Sequence, residues 1–221
     1  MTDHYSHKSL SNIVVEYIRN KILLGEYKEG DHVPEAEVAS ALGISRAPVR
    51  EGIKELASQG LIKAIPRKGN YVVKLTAEDA KEIFDIRLLL ENSVIETLIN
   101  EKLLTAKDFE TLNKYISDMI AISKEDTPEN ERISRINEKD TLFHEYLWLK
   151  SGSNRKYKIL SDLYSQLRMA MIFDTKLTGS LDKTAKDHLD ILQYLKDGDI
   201  KKCKKALREH IVLYLNKQQP D

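Results

Sequence analysis

Between Pro34 and Tyr71 the chain reads PEAEVASALGISRAPVREGIKELASQGLIKAIPRKGNY, and few folds accept that order of signals. Pro34 stands where a helix tolerates proline best, at its first position. Val38, Ala41 and Leu42 then give that helix an apolar face, and Gly43 supplies a turn. Ser45 is the expected N-cap of a second helix whose buried side is Val49, Ile53, Leu56 and Ala57. Arg46, Arg50 and Lys54 recur every four residues, which places them on one cationic stripe of that second helix. Gly60 ends it. Residues 61–65 and 71–75 read as two strands around PRKGN, with Gly69 available for positive φ and Arg67 and Lys68 at the tip. Two short helices joined at a glycine and followed by a basic hairpin predict a winged helix-turn-helix. Its second helix enters the DNA major groove, and its hairpin follows the minor groove or the adjoining phosphates.

Charge agrees with that reading only locally. Lys plus Arg and Asp plus Glu both total 35, so the chain is neutral. From Ser45 to Lys74, however, seven basic residues face two acidic ones, the electrostatic footprint expected for nucleic acid. An excess this modest predicts weak binding by a single copy and therefore a homodimer on double-stranded operator DNA. The single cysteine, Cys203, precludes an intrachain disulfide and points to a cytoplasmic setting. No long apolar run marks a membrane span or a signal peptide.

The 221 residues suit two domains, divided at the change of pattern near Thr76: 1–75 for the winged helix-turn-helix and 76–221 for a second, all-helical half. Upstream of Pro34, residues 8–24 carry a first amphipathic helix, with Gly25 after its end. Beyond Thr76, which opens a capping-box pattern with Asp79, six helical segments follow at roughly 77–103, 106–124, 130–151, 154–174, 181–197 and 199–217. Short connections between long amphipathic helices predict an antiparallel bundle, so the expected class is mainly α. Trp148, Met169 and Met171 read as core; KEDTPENER and KKCKK read as solvated surface.

Three of the six histidines lie in the helical half, each on an apolar stripe. His144 follows Asp140 by four residues beside Ile136, Phe143 and Leu147; His188 accompanies Ala185, Leu192 and Leu195; His210 accompanies Ala206, Leu207 and Tyr214. Any one of them could be a hydrogen-bonded core histidine. A carboxylate among them is costly to bury unless paired or bound to a cation, and imidazole with carboxylate from facing helices is how a bundle builds a metal site. The donor set suits a divalent transition metal, zinc first, with nickel, cobalt, manganese or iron as alternatives. Four protein ligands would close a structural zinc site, whereas a higher coordination number would leave room for water or a small ligand. Arg87 in FDIRLLLE sits among Ile83, Phe84, Leu90 and Val94 with Glu91 four residues on. It reads either as a surface or half-buried ion pair with Glu91 or as a guanidinium facing the bundle interior to clamp a carboxylate. Arg168, among Leu167, Met171 and Ile172, has the same two readings.

GEYKEGDHVPEAEVASALGISRAPVREGIKELASQGLIKAIPRKGNYV resembles the DNA-binding half of the GntR family of bacterial transcription regulators, with SRAPVRE its most specific element. TAEDAKEIFDIRLLLE, DTLFHEYL, SGSN, DHLDIL and REHI resemble the FCD-type ligand-binding domain of the FadR subfamily, and six helices rather than seven favour its VanR-like branch. The resemblance implies that Arg46 and Arg50 contact operator DNA from the recognition helix, with Lys68 and Gly69 contributing from the wing. It also implies that Asp140, His144, His188 and His210 hold a metal and that Arg87 binds an acidic effector beside it. Ala36 replaces an Arg common in relatives and Ala47 a Thr, so the operator is expected to differ from theirs.

The function expected is a ligand-responsive DNA-binding transcription regulator, not an enzyme. Its DNA-binding residues would be Ser45, Arg46, Arg50, Arg67, Lys68 and Gly69, and its effector-binding residues Arg87 and Arg168. Two alternatives stand beside it: a metal-dependent enzyme acting on a small acid, and a regulator whose metal is purely structural. No further carboxylate at a fixed spacing marks the general base that the first would need.

Overall fold

The computed structural model describes residues 9–74, 76–173 and 180–212, and the chain divides into two compact units, Met1–Leu75 and Thr76–Asp221. The first holds three helices and a two-stranded hairpin: α1 (Leu10–Leu23), α2 (Glu35–Leu42), α3 (Arg46–Ser58), β1 (Ile62–Ile65) and β2 (Gly69–Val72). Ser9 starts α1, its hydroxyl oxygen accepting from the Asn12 N–H at 3.2 Å. Val14, Ile18 and Ile22 then recur along one side and are fully buried, which fixes the face that α1 lays on α3. The crossing is close because of Gly52: a Cβ there would meet Val14 Cγ1 at 2.7 Å and the Ser11 carbonyl oxygen at 2.9 Å.

The hairpin is antiparallel, pairing Ile62 with Val72 and Ile65 with Gly69. The far edge of β2 is occupied by the segment before α2. Val33 N–H donates to Asn70 O at 2.7 Å and Val72 N–H to Asp31 O at 2.9 Å, so the wing is anchored on both sides. β2 starts at Gly69, two residues before the expected Tyr71, because Gly69 and Asn70 pair with Ile65 and Ala64 of β1. This pairing leaves a three-residue turn in which Arg67 itself takes positive φ, 62°. β2 also ends at Val72, short of the expected 75, with Val73 and Lys74 outside the strand.

Three other local expectations are corrected. Pro34 is the N-cap of α2, at ψ 120°, rather than its first helical residue. Ala39 is buried beside Val38 while Ala41 is exposed, because α2 rotates its i, i+1 edge toward α3. Ser45 occupies the N-cap of α3, but its side chain makes no capping hydrogen bond.

The second unit contains α4 (Ala77–Asn100), α5 (Ala106–Ser123), α6 (Glu129–Lys150), α7 (Asn154–Phe173), α8 (Leu181–Asp197) and α9 (Ile200–Val212). Thr76 with Asp79 and Thr105 with Asp108 form full capping boxes that start α4 and α5. α4 stops at Asn100, earlier than its periodicity suggests, where the chain turns through Lys102 at φ 51°. In this six-helix bundle α6 packs against α4, α5, α7 and α8, while α9 packs against α4 and α8. The core is aliphatic and aromatic, with Phe84, Ile95, Leu112, Ile116, Phe143, Trp148 and Leu160 nearly inaccessible. Cys203, expected on a solvated run, is fully buried, with its thiol against the Ile191 carbonyl. Tyr214 and the Thr178–Gly179 break lie outside the described residues, as do the side chains of Leu167, Arg168, Met169, Met171 and Ile172. Among the described residues no helix is long and apolar enough to cross a membrane.

Candidate nucleic-acid interface and candidate metal centre

Burial of Val49, Ile53 and Leu56 against the first unit's core turns the opposite side of α3 outward. Arg46, Arg50 and Lys54 are exposed there, and Ser45 is exposed at the helix start. Arg50 is not a loose cation: its Nε–H donates to Glu35 Oε2 on α2 at 2.8 Å. At the hairpin tip Arg67 and Lys68 are exposed, and the turn is closed by Lys68 N–H donating to Ile65 O at 3.0 Å. Tyr71 adds an O–H bond to the Lys68 carbonyl at 3.1 Å. Gly69 has φ 108°, and a side chain there would run into the His32 ring. Glycine is therefore required both by conformation and by the close approach of His32. His32 and Glu35, which support the wing and Arg50, carry no signal in the spacing of the motif; each is seen only once α2 and its leading loop are placed.

In the second unit four expected residues converge. Asp140 and His144 lie one turn apart on α6, His188 comes from α8 and His210 from α9. All are buried, and their ligand atoms lie within 4.8 Å of one another. Asp140 Oδ1 is 2.9 Å from His188 Nε2, 3.5 Å from His210 Nε2 and 3.9 Å from His144 Nε2. Phe143 packs edge-on to His144 and His188 and shields one side.

The outer bonds fix which nitrogens point inward. His188 Nδ1 faces the Thr184 carbonyl at 2.9 Å, and a carbonyl only accepts, so Nδ1 carries the proton. His144 Nδ1 faces Glu91 Oε2 at 2.8 Å, and this too is a donor position. In their neutral forms both residues therefore present an Nε2 lone pair to Asp140. His188 Nε2 and Asp140 Oδ1 are close enough for a hydrogen bond but misaligned for one, and neither atom has a hydrogen-bond partner among the described residues. Three imidazoles and one carboxylate, gathered this closely and buried, could hold a metal ion.

Burial opposes ionisation of Asp140, but the His188 and His210 imidazoles, and then His144, outweigh it and hold the carboxyl well below its usual range. Burial, reinforced by His188 and opposed by Asp140, pushes His210 down to about 3, so it remains neutral and able to ligate.

Arg87 and Glu91, one turn apart on α4, are 2% and 3% exposed, so their ion pair is interior and not at the surface. Arg87 Nε donates to Glu91 Oε1 at 2.5 Å, and the guanidinium lies 4.7 Å from the Tyr164 ring centre. One guanidinium nitrogen, Nη2, is buried with no hydrogen-bond partner among the described residues. Burial raises the Glu91 carboxyl, but Arg87 and then His144 overcome that and bring it to about 2. Glu91 thus belongs to the buried cluster through His144, a role its spacing from Arg87 alone does not reveal. The sequence signal that could have found it is its place on the same inward stripe as Phe84 and Val94.

Residues 10–72 match the gntR family of bacterial regulatory proteins, and residues 82–213 match the FCD domain. The chain is 28% identical over 199 residues to the HTH-type transcriptional regulator YdhC of Bacillus subtilis (strain 168), covering 90% of this chain and 84% of that one. It is 34% identical over 139 residues to the gluconate operon transcriptional repressor of the same strain, covering 62% of this chain and 54% of the repressor. In fold it is similar to E. coli McbR/YncC, with a TM-score of 0.78, 20% identity, and coverage of 94% and 98% of the two chains. The chain belongs to the gntR family of bacterial regulatory proteins and is a DNA-binding transcription regulator whose helical half is an FCD domain.

Proposed function

We propose that this regulator is a homodimer of the bacterial cytoplasm that binds a divalent transition metal, zinc first, through Asp140, His144, His188 and His210. A small carboxylate acts as its effector. The observation that carries the reading is the convergence of His144 and His188 Nε2 on Asp140 Oδ1, with both Nδ1 positions committed to outer acceptors. The metal would supply a positive charge and coordination positions for an anionic ligand. Arg87, whose Nη2 has no hydrogen-bond partner among the described residues, would receive the second charge of that ligand; Arg168, on α7, is a further candidate. Arg46 and Arg50 read the operator from the major groove, Ser45 supports them at the helix start, and Arg67, Lys68 and Gly69 follow the backbone from the wing. A ligand shifts such an equilibrium only by its differential affinity, so an inducing acid must bind the DNA-incompetent arrangement more tightly.

The test is elemental analysis of the full-length protein, paired with His188→Ala/His210→Ala. The expected result is stoichiometric divalent metal in the wild type and none in the variant, with circular dichroism showing that both are helical. A wild type that neither contains nor takes up Zn²⁺, Ni²⁺, Mn²⁺ or Fe²⁺ would refute the metal reading.

A further inference from the structure

The two halves of the proposed effector site share one carboxylate. Glu91 accepts from Arg87 Nε through Oε1 at 2.5 Å and from His144 Nδ1 through Oε2 at 2.8 Å, and all three side chains are buried. We propose that Glu91 is the positioning residue that couples the two. By accepting on both oxygens it holds His144 with its proton on Nδ1 and its lone pair on Nε2, while fixing the guanidinium of Arg87. This rests on the metal reading above and adds to it a named link between metal binding and the Arg87 side of the site.

The argument is one of donor and acceptor parity. Arg87 Nε only donates, so the atom facing it must accept. A carboxylate accepts at both oxygens and therefore imposes a donor at His144 Nδ1. An amide at the same position has one acceptor and one donor. In Glu91→Gln the carbonyl is claimed by Arg87, and the amide nitrogen is left against His144, where it donates into Nδ1. The His144 proton then moves to Nε2, the atom that faces Asp140 and His210, and the lone pair needed by a metal is lost. Buried networks favour such reversals because an unpaired donor or acceptor is costly in a low-dielectric interior. The parity argument makes a second demand. If Arg87 is replaced by a residue without donors, the glutamine is released to turn its carbonyl toward His144, and the metal-binding tautomer returns. A carboxylate that merely filled space or balanced charge would give no such rescue.

The experiment uses full-length ¹⁵N-labelled protein and Zn²⁺ as the probe, with affinity from competition against a chromophoric chelator and the His144 tautomer from long-range ¹H–¹⁵N spectra. The wild type should show His144 protonated on Nδ1 with or without Zn²⁺. E91Q should show it protonated on Nε2 when metal-free and bind Zn²⁺ about 10- to 100-fold more weakly. R87M/E91Q should recover Nδ1 protonation and most of the affinity. Wild-type His144 protonated on Nε2 overturns the proposal even if no variant folds. So does an E91Q protein that binds Zn²⁺ like the wild type, or a double variant no better than E91Q. If the wild type binds no Zn²⁺ yet E91Q still reverses the tautomer, the metal reading fails while the positioning role of Glu91 stands.

Discussion

Arg50 of α3 donates to Glu35 of α2 across 2.8 Å, so the two helices of the reading motif are joined through the side chain proposed to contact bases. The pair is open to solvent, Arg50 being 61% exposed, and contributes under about 1 kcal/mol to stability. Its consequence is directional. Arg50→Ala is expected to weaken operator binding by about 1–3 kcal/mol, measured by anisotropy at fixed salt. Glu35→Gln should leave the melting temperature nearly unchanged but lower the ratio of operator to non-specific affinity, because an untethered cation binds phosphates indiscriminately. An unchanged ratio would show that Glu35 does not orient Arg50.

Gly52 is where α1 and α3 come closest. Alanine there brings two opposing effects: a gain of about 1 kcal/mol in helix propensity and an overpacking cost of about 1–3 kcal/mol. The Ser11 carbonyl oxygen at 2.9 Å and the Val14 Cβ at 2.8 Å from the added carbon are both held by backbone and cannot swing aside, so overpacking should win. Gly52→Ala is expected to lower the denaturation midpoint of the first unit; an unchanged or raised midpoint would mean that α1 shifts freely.

At the wing, Gly69→Ala is expected to reduce operator affinity while leaving Zn²⁺ binding by the helical half intact. The added side chain meets both the positive φ and the His32 ring, so the turn carrying Arg67 and Lys68 must move. Full operator affinity in this variant would remove the wing tip from the interface.

The metal-free protein should lose stability on acidification. His210 is pushed from its ordinary 6.5 down to about 3, chiefly by burial. Between those values the unfolded chain binds a proton that the folded chain refuses, so stability rises with pH through this window and falls as pH is lowered. One such group gives a slope of up to about 1.4 kcal/mol per pH unit. Glu91 acts in the same direction, but only below its ordinary 4.5, as pH falls toward about 2. Thermal melts of chelator-treated protein should therefore show falling midpoints from about pH 7 to pH 5; a flat profile contradicts the burial of a neutral His210.

The helix-turn-helix was legible because each helix announces itself by local periodicity and each break by a glycine, as Gly43 and Gly60 do. The wing boundary was not, since β1 and β2 pair up to Ile65 and Gly69 across a turn of only three residues, and the outer edge of β2 is held by Asp31 and Val33, more than thirty positions upstream. The same limit applies in the bundle. Asp140, His144, His188 and His210 could be picked individually, as polar groups on apolar stripes, and they do meet. Glu91 looked like the ordinary i+4 partner of Arg87. Its second oxygen reaches His144 on another helix, and spacing along one helix cannot show a contact between two.

The most direct test of the account is a crystal structure of the full-length protein grown with Zn²⁺ and measured at the zinc absorption edge. The account predicts one anomalous peak per chain coordinated by Asp140, His144, His188 and His210, with His144 still bonded to Glu91. Crystals saturated with Zn²⁺ that show no peak among these four residues, or a peak only at surface carboxylates, would contradict it.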